Sequence, residues 1–423
     1  MNALRQVVIT GAGVVSALGL TPAELYDNLL AGRSAVGPFS GFDTSAFPCH
    51  VAAPVTGYKA RQWIDNKKNL KLMSRAVQFG MGALKMAHTA GRLQRGAIAP
   101  ERIGLFVGAG TAVGRTDDLV PAIQRSFGPA GFAPSVFGDV GMHAINPLWL
   151  LKGLSNNVLG FGSADIDARG INQNYCNSGV GGLQAIGEAA WAIVEGKADV
   201  IIAGGADSSI NVLHFTGFGR LRALTSGMGS DAVRPYDARH DGFAPGEGAA
   251  FFVLETEAHA RARGVEILAR IVGYGDGCGA HALSAGDLGV ITAACRRALE
   301  RAGWAPDDVD LIYAHGNGTP VFDRREAEAF RAVFGNSTPP VTTNKAQLGH
   351  PLAAGGPISV ACALEAGRRD VIAAVPHVDT LDPACAHLDL VRGEDRRRPV
   401  RRALVHAAGL GAQTTFLALE FAS

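Results

Sequence analysis

Apolar runs of strand length alternate with segments of helical period along the whole chain. "QVVITGAGVV" reads as a strand leading into a glycine turn, and "RIGLFVGAG" as a second strand that ends in glycines. From Gly179 onward, Leu183, Ile186, Ala190 and Ile193 recur at spacings of three and four, which predicts a helix closed by Gly196. "ADVIIAGGAD" and "EGAAFFVLE" follow as buried strands, and "TEAHARARGVEI" as a charged helical crossover. After it a similar order starts again. "LARIVGYG" is a strand, "GVITAACRRALERAG" a helix and "DLIYAHG" a strand. "PPVTTNK" is a strand before a loop, "GGPISVACALEAG" a helix, and "RALVHAAGLGAQTTFLALEF" two strands around a glycine turn. Alternation of this kind is the α/β signature. It suggests two halves, residues 1–258 and 259–423. No repeat is visible in the residues, so the order of elements is the only sign of duplication.

Composition narrows the class. Of 423 residues, 47% are hydrophobic and 18% charged, so the chain buries a large core. A formal net charge of +1 argues against a nucleic-acid footprint or a polybasic membrane patch. The arginines of "GEDRRRPVRR" follow acidic residues with no aromatics interleaved and read as a solvated loop. The six cysteines (49, 176, 278, 295, 362 and 385) show no C-x-x-C pair and no histidine at ligand spacing, so reduced thiols of a cytoplasmic protein are expected and a metal site is not. No apolar run reaches the roughly 18 residues of a membrane span.

Two motifs fall away on inspection. "ITGAGVVSALG" has the spacing G-x-G-x-x-S, without an acidic residue at the end of a second strand to hold a ribose, so dinucleotide binding is not expected. No G-x-S-x-G is present for a hydrolase nucleophile. Three other segments belong together. "YAHGNGTPVFDRREAEAF" places His315 at a strand end, before a helix carrying Asp323 and Glu326, and "TTNKAQLGHPLAAGG" places Lys345 and His350 in one loop between strand and helix. Positions just past the C-terminal ends of strands are where open α/β sheets build their sites. A pair of neutral imidazoles there could donate N–H groups to an oxygen that turns negative as carbon dioxide leaves. A thiol at the start of the helix that "GINQNYCNSGVGGLQAIG" enters would complete such chemistry, because the helix dipole favours thiolate.

With these segments in hand, the chain resembles the β-ketoacyl-(acyl carrier protein) synthases of fatty acid and type II polyketide synthesis, over nearly its whole length. The likeness rests on "VVITGAGVVSALG", "ADVIIAGGAD", "RPYDARHDGFAPGEGAAFFVLE", "HGNGTPVFD", "NKAQLGH" and the last glycine turn. It implies a thiolase-like fold of two similar α/β halves in a layered αβαβα core. It also implies substrates carried on the phosphopantetheine of an acyl carrier protein, with no other cofactor. His315 and His350 match the family's active-site histidines, and Lys345 its lysine.

The nucleophile is where the likeness breaks. In the family a turn glycine precedes the catalytic cysteine by nine residues, and the cysteine precedes the glycine of an Ile-Gly pair by eight. Position 179 lies nine after Gly170 and eight before Gly187, and it is a glycine. Cys176 lies six after the one and eleven before the other. Along a strand that offset of three residues is about 10 Å and reverses the side chain's direction. Leu410 stands where the family's last turn usually carries Phe, which supplies an oxyanion N–H. Gln413 replaces a usual Asn, and Ser359, after the unusual "GGP" of 355–357, replaces a usual glutamate. "GVGGLQAIG" and "GGPISVACAL" look like the ketosynthase β subunit, or chain length factor, of type II polyketide synthases.

That resemblance implies a non-condensing subunit of a heterodimer with a catalytic ketosynthase paralogue, which would meet the acyl carrier protein. This chain would complete the partner's tunnel, and the kept histidines lean towards polyene-forming pathways. "INPLWLLKGLSNNVLG" aligns with the family segment that crosses the dimer interface, so Leu148 and Trp149 are expected at the tunnel wall. His315, Lys345 and His350 are then read as a structural remnant. Two other readings stay open: an autonomous synthase that uses Cys176, and a malonyl-carrier decarboxylase.

Overall fold

The structure, a computed structural model, describes residues 3–110, 118–279 and 285–421. Ten strands form one sheet: β1 Val7–Ser16, β2 Ile103–Ala109, β3 Asn172–Tyr175, β4 Val200–Ser208, β5 Glu247–Thr256, β6 Ala269–Cys278, β7 Leu311–Tyr313, β8 Val341–Thr342, β9 Arg402–Gly409 and β10 Gln413–Glu420. Their order is β3-β2-β4-β5-β1-β6-β10-β9-β7-β8. The first five and the last five strands follow the same permutation. In one half β2 runs parallel to β3 and β4, while β5 is antiparallel to both β4 and β1. In the other, β7 runs parallel to β8 and β9, while β10 is antiparallel to both β9 and β6. The halves join where β1 pairs with β6 across Val7–Ile9. The duplication that the order of elements suggested is thus present in the sheet.

Five long helices complete the layers: α1 Arg75–Ala90, α2 Gly181–Val194, α3 Leu288–Ala302, α4 Pro320–Phe334 and α5 Gly355–Arg369. α2 and α5 touch each other and lie between the half-sheets, α2 against β4 and β2, α5 against β9. α1 covers β1, β5 and β4 on one outer face, while α3 covers β6 and β10 on the other and packs beside α4. A helix placed between two sheets has no solvent face, and the sequences answer that. Gly355 to Gly367 is buried without a break, and α2 leaves only Gln184, Glu188, Trp191 and Val194 partly exposed. Small residues let backbones meet there. A Cβ at Gly182 would lie 2.2 Å from Ala353 O, and one at Gly187 2.2 Å from the Tyr274 ring.

One reading from the sequence is corrected. "ITGAG" makes no turn: β1 continues through both glycines to Ser16, with a register shift between Ile9 and Gly11. The glycines serve the outer helix instead. A Cβ at Gly11 would meet Ala87 O at 2.6 Å, and one at Gly13 would meet Ala83 O at 2.1 Å. Without a turn there is no helix N-terminus to cradle a pyrophosphate. The arginine run is tied down by carboxylates: Arg396 to Asp389, Arg398 to Asp310, Arg401 to Asp370 and Arg402 to Asp308. Among the described residues no helix is long and apolar enough to cross a membrane.

Candidate active site

β7 ends at Tyr313 and delivers His315 into a turn whose glycines, Gly316 and Gly318, adopt positive φ (31° and 89°) before α4 begins at Pro320. α4 turns two carboxylates back under that turn. Glu326 Oε1 accepts the His315 backbone N–H (2.8 Å), and Oε2 accepts those of Gly316 (2.9 Å) and the Tyr236 hydroxyl (2.6 Å). Asp323 accepts the N–H groups of Tyr236 (3.0 Å) and Gly318 (3.3 Å). The His315 ring is then aimed from the opposite strand: the Ala408 N–H donates to its Nδ1 at 3.1 Å. An acceptor at Nδ1 leaves the proton on Nε2.

Lys345 and His350 come from the connection between β8 and α5, where Lys345 opens a short helix, Lys345–Leu348, in place of the expected loop. The His350 N–H donates to Ala244 O (2.8 Å), and its carbonyl accepts from Gly246 (3.1 Å) and Ser209 Oγ (3.2 Å). Gly349 precedes it at φ +62°, where a Cβ would lie 2.7 Å from Ala244 O, so only glycine fits. The two imidazoles meet edge to face with centroids 5.0 Å apart, and Phe243 flanks His350 at the same distance. Burial first, and the Lys345 charge second, push His350 down to about 3. His315 is held well below the ordinary histidine range by burial, then by His350 and Lys345. Both rings are therefore neutral at physiological pH. Burial likewise pushes the Lys345 ammonium down to about 8 against the opposing pull of Glu326. Its Nζ donates to Asn344 Oδ1 at 3.2 Å, and the Asn344 amide reaches Ser359 Oγ at 3.3 Å. A hydroxyl thus stands in this polar group where the resemblance would place a carboxylate.

The opening of α2 is different from a thiol site. Cys176 is exposed just past β3, with its sulfur accepting from Asn174 Nδ2 at 3.0 Å, and it does not line the cavity of the histidines. Gly179 is buried in the tight turn Ser178–Val180. An ideal Cβ at 179 would lie 2.1 Å from Ala408 O. Position 179 therefore lacks a side chain and also lacks room for one. The cavity is walled by Ser178, Phe243, His315, Phe322, His350 and Leu410, among others. Leu410 sits where the sequence put it, in the turn between β9 and β10, beside Gly411 at φ +75°.

Sequence reasoning brought His315, Lys345 and His350 together, and placed Asp323 and Glu326 on the right helix. It missed His406, whose Nδ1 meets Glu326 Oε1 while Nε2 lies 2.7 Å from Thr414 Oγ1 and the ring stacks on Phe416. A single histidine inside an apolar strand was the available signal. It also missed His240, buried between Asp323 (3.1 Å) and Asp382 (3.2 Å). Leu148 and Trp149 lie elsewhere, half-buried at the start of the short helix Trp149–Gly153, and neither lines the histidine cavity. Neighbouring stretches of the chain expose further apolar side chains, among them Phe127, Phe132, Met142, Leu150 and Leu151, with Leu150 65% exposed. Among the described residues no group of three His, Cys, Asp or Glu side chains is placed to hold a metal ion.

Comparison with known proteins agrees with this geometry. Residues 4–260 match the β-ketoacyl synthase N-terminal domain and residues 268–379 its C-terminal domain. The 3-oxoacyl-[acyl-carrier-protein] synthase 2 of Coxiella burnetii (strain RSA 493 / Nine Mile phase I) is 32% identical over 422 residues, 98% of each chain. That of Staphylococcus aureus (strain COL) is 30% identical over 99% of each. Among solved structures, the ishigamide ketosynthase/chain length factor is 28% identical, with a TM-score of 0.89 over 99% of this chain and all of that one. A β-ketoacyl synthase from Burkholderia phymatum STM815 is also 28% identical, with a TM-score of 0.88 over the same shares. With both domains matched in order and relatives at least 30% identical over nearly the whole chain, on a thiolase-like fold, the chain belongs to the β-ketoacyl synthase family.

Proposed function

We propose that this chain is a chain length factor: the non-condensing subunit that pairs with a catalytic ketosynthase and sets how far the acyl chain grows. The observation that carries the reading is the closed position 179. Condensation needs a thiol to hold the growing chain while malonyl loses carbon dioxide, and a glycine jammed against Ala408 O cannot supply one. The partner would carry the cysteine and meet the carrier protein, whose phosphopantetheine arm brings the substrates. Two further observations support pairing. The likeness to the ishigamide ketosynthase/chain length factor spans the whole chain. Residues 120–154 expose many apolar side chains, Phe127 60% and Met142 57% among them, which suits burial against a partner subunit.

The test is reconstitution with a ketosynthase. Elongation should require the partner's cysteine, and Cys176→Ala in this chain should leave the rate within about twofold of the parent, a change under about 0.5 kcal/mol. An acyl thioester mapped to Cys176, or condensation by this chain alone, would overturn the reading.

Chain length itself is assigned to Leu148 and Trp149 at the wall of the partner's tunnel. Forcing one more extension unit against a packed side chain costs about 1–3 kcal/mol, enough to shift a product ratio about tenfold. Trp149→Ala, and Leu148→Ala less strongly, should therefore lengthen the products while the first condensation proceeds at its normal rate. Unchanged product lengths from a normally assembled Trp149→Ala complex would remove these residues from the wall.

A further inference from the structure

We propose that Ser178 is an acyl acceptor, whose hydroxyl takes a short acyl group from a carrier-bound thioester in the cavity it shares with His315 and His350. Ala408 O closes position 179, and Ser178, the residue before it, lines the same cavity as the two imidazoles. The backbone is built for that placement. Ser178 has φ +49°, a region that L side chains adopt at a cost and that persists where the surroundings enforce it. It lies on a sharp strand–turn–helix connection between β3 and α2, the local geometry that raises a nucleophilic oxygen clear of a sheet. The strain is not placed to serve the missing thiol, since Gly179 itself lies outside the positive-φ region.

The neighbours supply the remaining parts. Ala408 fixes His315 with its proton on Nε2, a neutral donor for an oxygen that becomes negative. His350 Nδ1 is buried without a hydrogen-bond partner, so it is open to accept the Ser178 proton as the C–O bond forms. In the step, Ser178 Oγ attacks the thioester carbonyl carbon and its proton passes to His350. The C–O bond forms, the C–S bond breaks, and the leaving thiolate takes the proton back from His350. No oxidant, metal or other reactant enters the balance. The free space is about 50 Å³, walled by Phe218, Phe243, Phe322, Leu352 and Leu410. A space of that size suits a short acyl group. The inference stands apart from the chain-length reading, which concerns the partner's tunnel.

The experiment uses the assembled complex with the partner's cysteine replaced by alanine and Cys176→Ala in this chain, incubated with acetyl-pantetheine. Cys176 shares a tryptic peptide with Ser178, so its removal leaves two hydroxyls there, Tyr175 and Ser178, which fragmentation tells apart. The expected result is one acetyl group on the 170–197 peptide, localised to Ser178 by fragmentation. It should survive neutral hydroxylamine, which cleaves thioesters and spares oxygen esters. Ser178→Ala should lose the label, and so should Ser178→Gly, which suits the positive φ and protects the fold. No adduct in the parent complex, or an adduct that persists in Ser178→Gly, would overturn the assignment.

Discussion

Glu326→Ala is expected to cost the fold about 3–5 kcal/mol, the range for removing one partner from a buried charged network. Glu326 is fully buried and holds four groups at once: the backbone N–H groups of His315 and Gly316, the Tyr236 hydroxyl and the His406 ring. Alanine would leave all four without an acceptor in a site that water does not reach, and each orphaned group costs about 1–3 kcal/mol, with strong non-additivity. Burial tends to raise the Glu326 carboxyl, but His406, Tyr236 and the backbone donors outweigh it and hold the group below the ordinary glutamate range. A depressed carboxylate adds stability that is complete above its unfolded value and is lost as pH falls through its folded one. The gap between parent and Glu326→Ala in denaturant unfolding should therefore be widest near neutrality and close in acid. Glu326→Gln keeps one acceptor oxygen but turns an amide against remaining donors, so an intermediate loss is expected. Equal unfolding midpoints for parent and alanine variant would show that the turn of His315 is held by something else.

Gly179→Cys, the substitution that would restore the family's nucleophile, is expected to fail on both counts: it should give no condensing activity and should destabilise the chain. Its Cβ would fall 2.1 Å from Ala408 O, an atom of the backbone that no rotamer change can move. Ala408 is itself anchored, with its N–H on His315 Nδ1 and its register partner Thr414 on β10. Relief would need a shift of the end of β9, with a cost of about 1–3 kcal/mol for an overpacked interior and with displacement of the histidine that the thiol would need. Gly179→Ala separates the two effects, since it carries the steric part alone and should unfold at a similarly lowered denaturant midpoint. A Gly179→Cys chain with parental stability that forms an acyl thioester at residue 179 would refute the closed-turn account.

Much of this was legible in the residues, for a physical reason. Period and length specify an element locally, so the alternation of apolar strands and helices was readable, and so was the return of a similar order in the second half of the chain. His315 and Lys345 were readable because each lies two or three residues past a strand end, with His350 a short helical turn further on, and strand ends on one side of a sheet converge. The count that lands on Gly179 was readable because it uses two anchors close in the chain. What the tertiary structure alone decided are contacts between groups far apart in sequence. The glycines of "ITGAG" suggest a turn when read locally, yet they lie within one strand, where the carbonyls of α1 come too close for any side chain. Glu326 and His406 are eighty residues apart and share a buried contact that no periodicity signals. Gly179 is closed by Ala408, which reaches it from the last pair of strands. The sequence by itself determined which elements form and which chemical groups they bear. Which position faces the cavity, and which is filled by another backbone, was decided only by close packing, because van der Waals exclusion acts between atoms that folding brings together regardless of their separation along the chain.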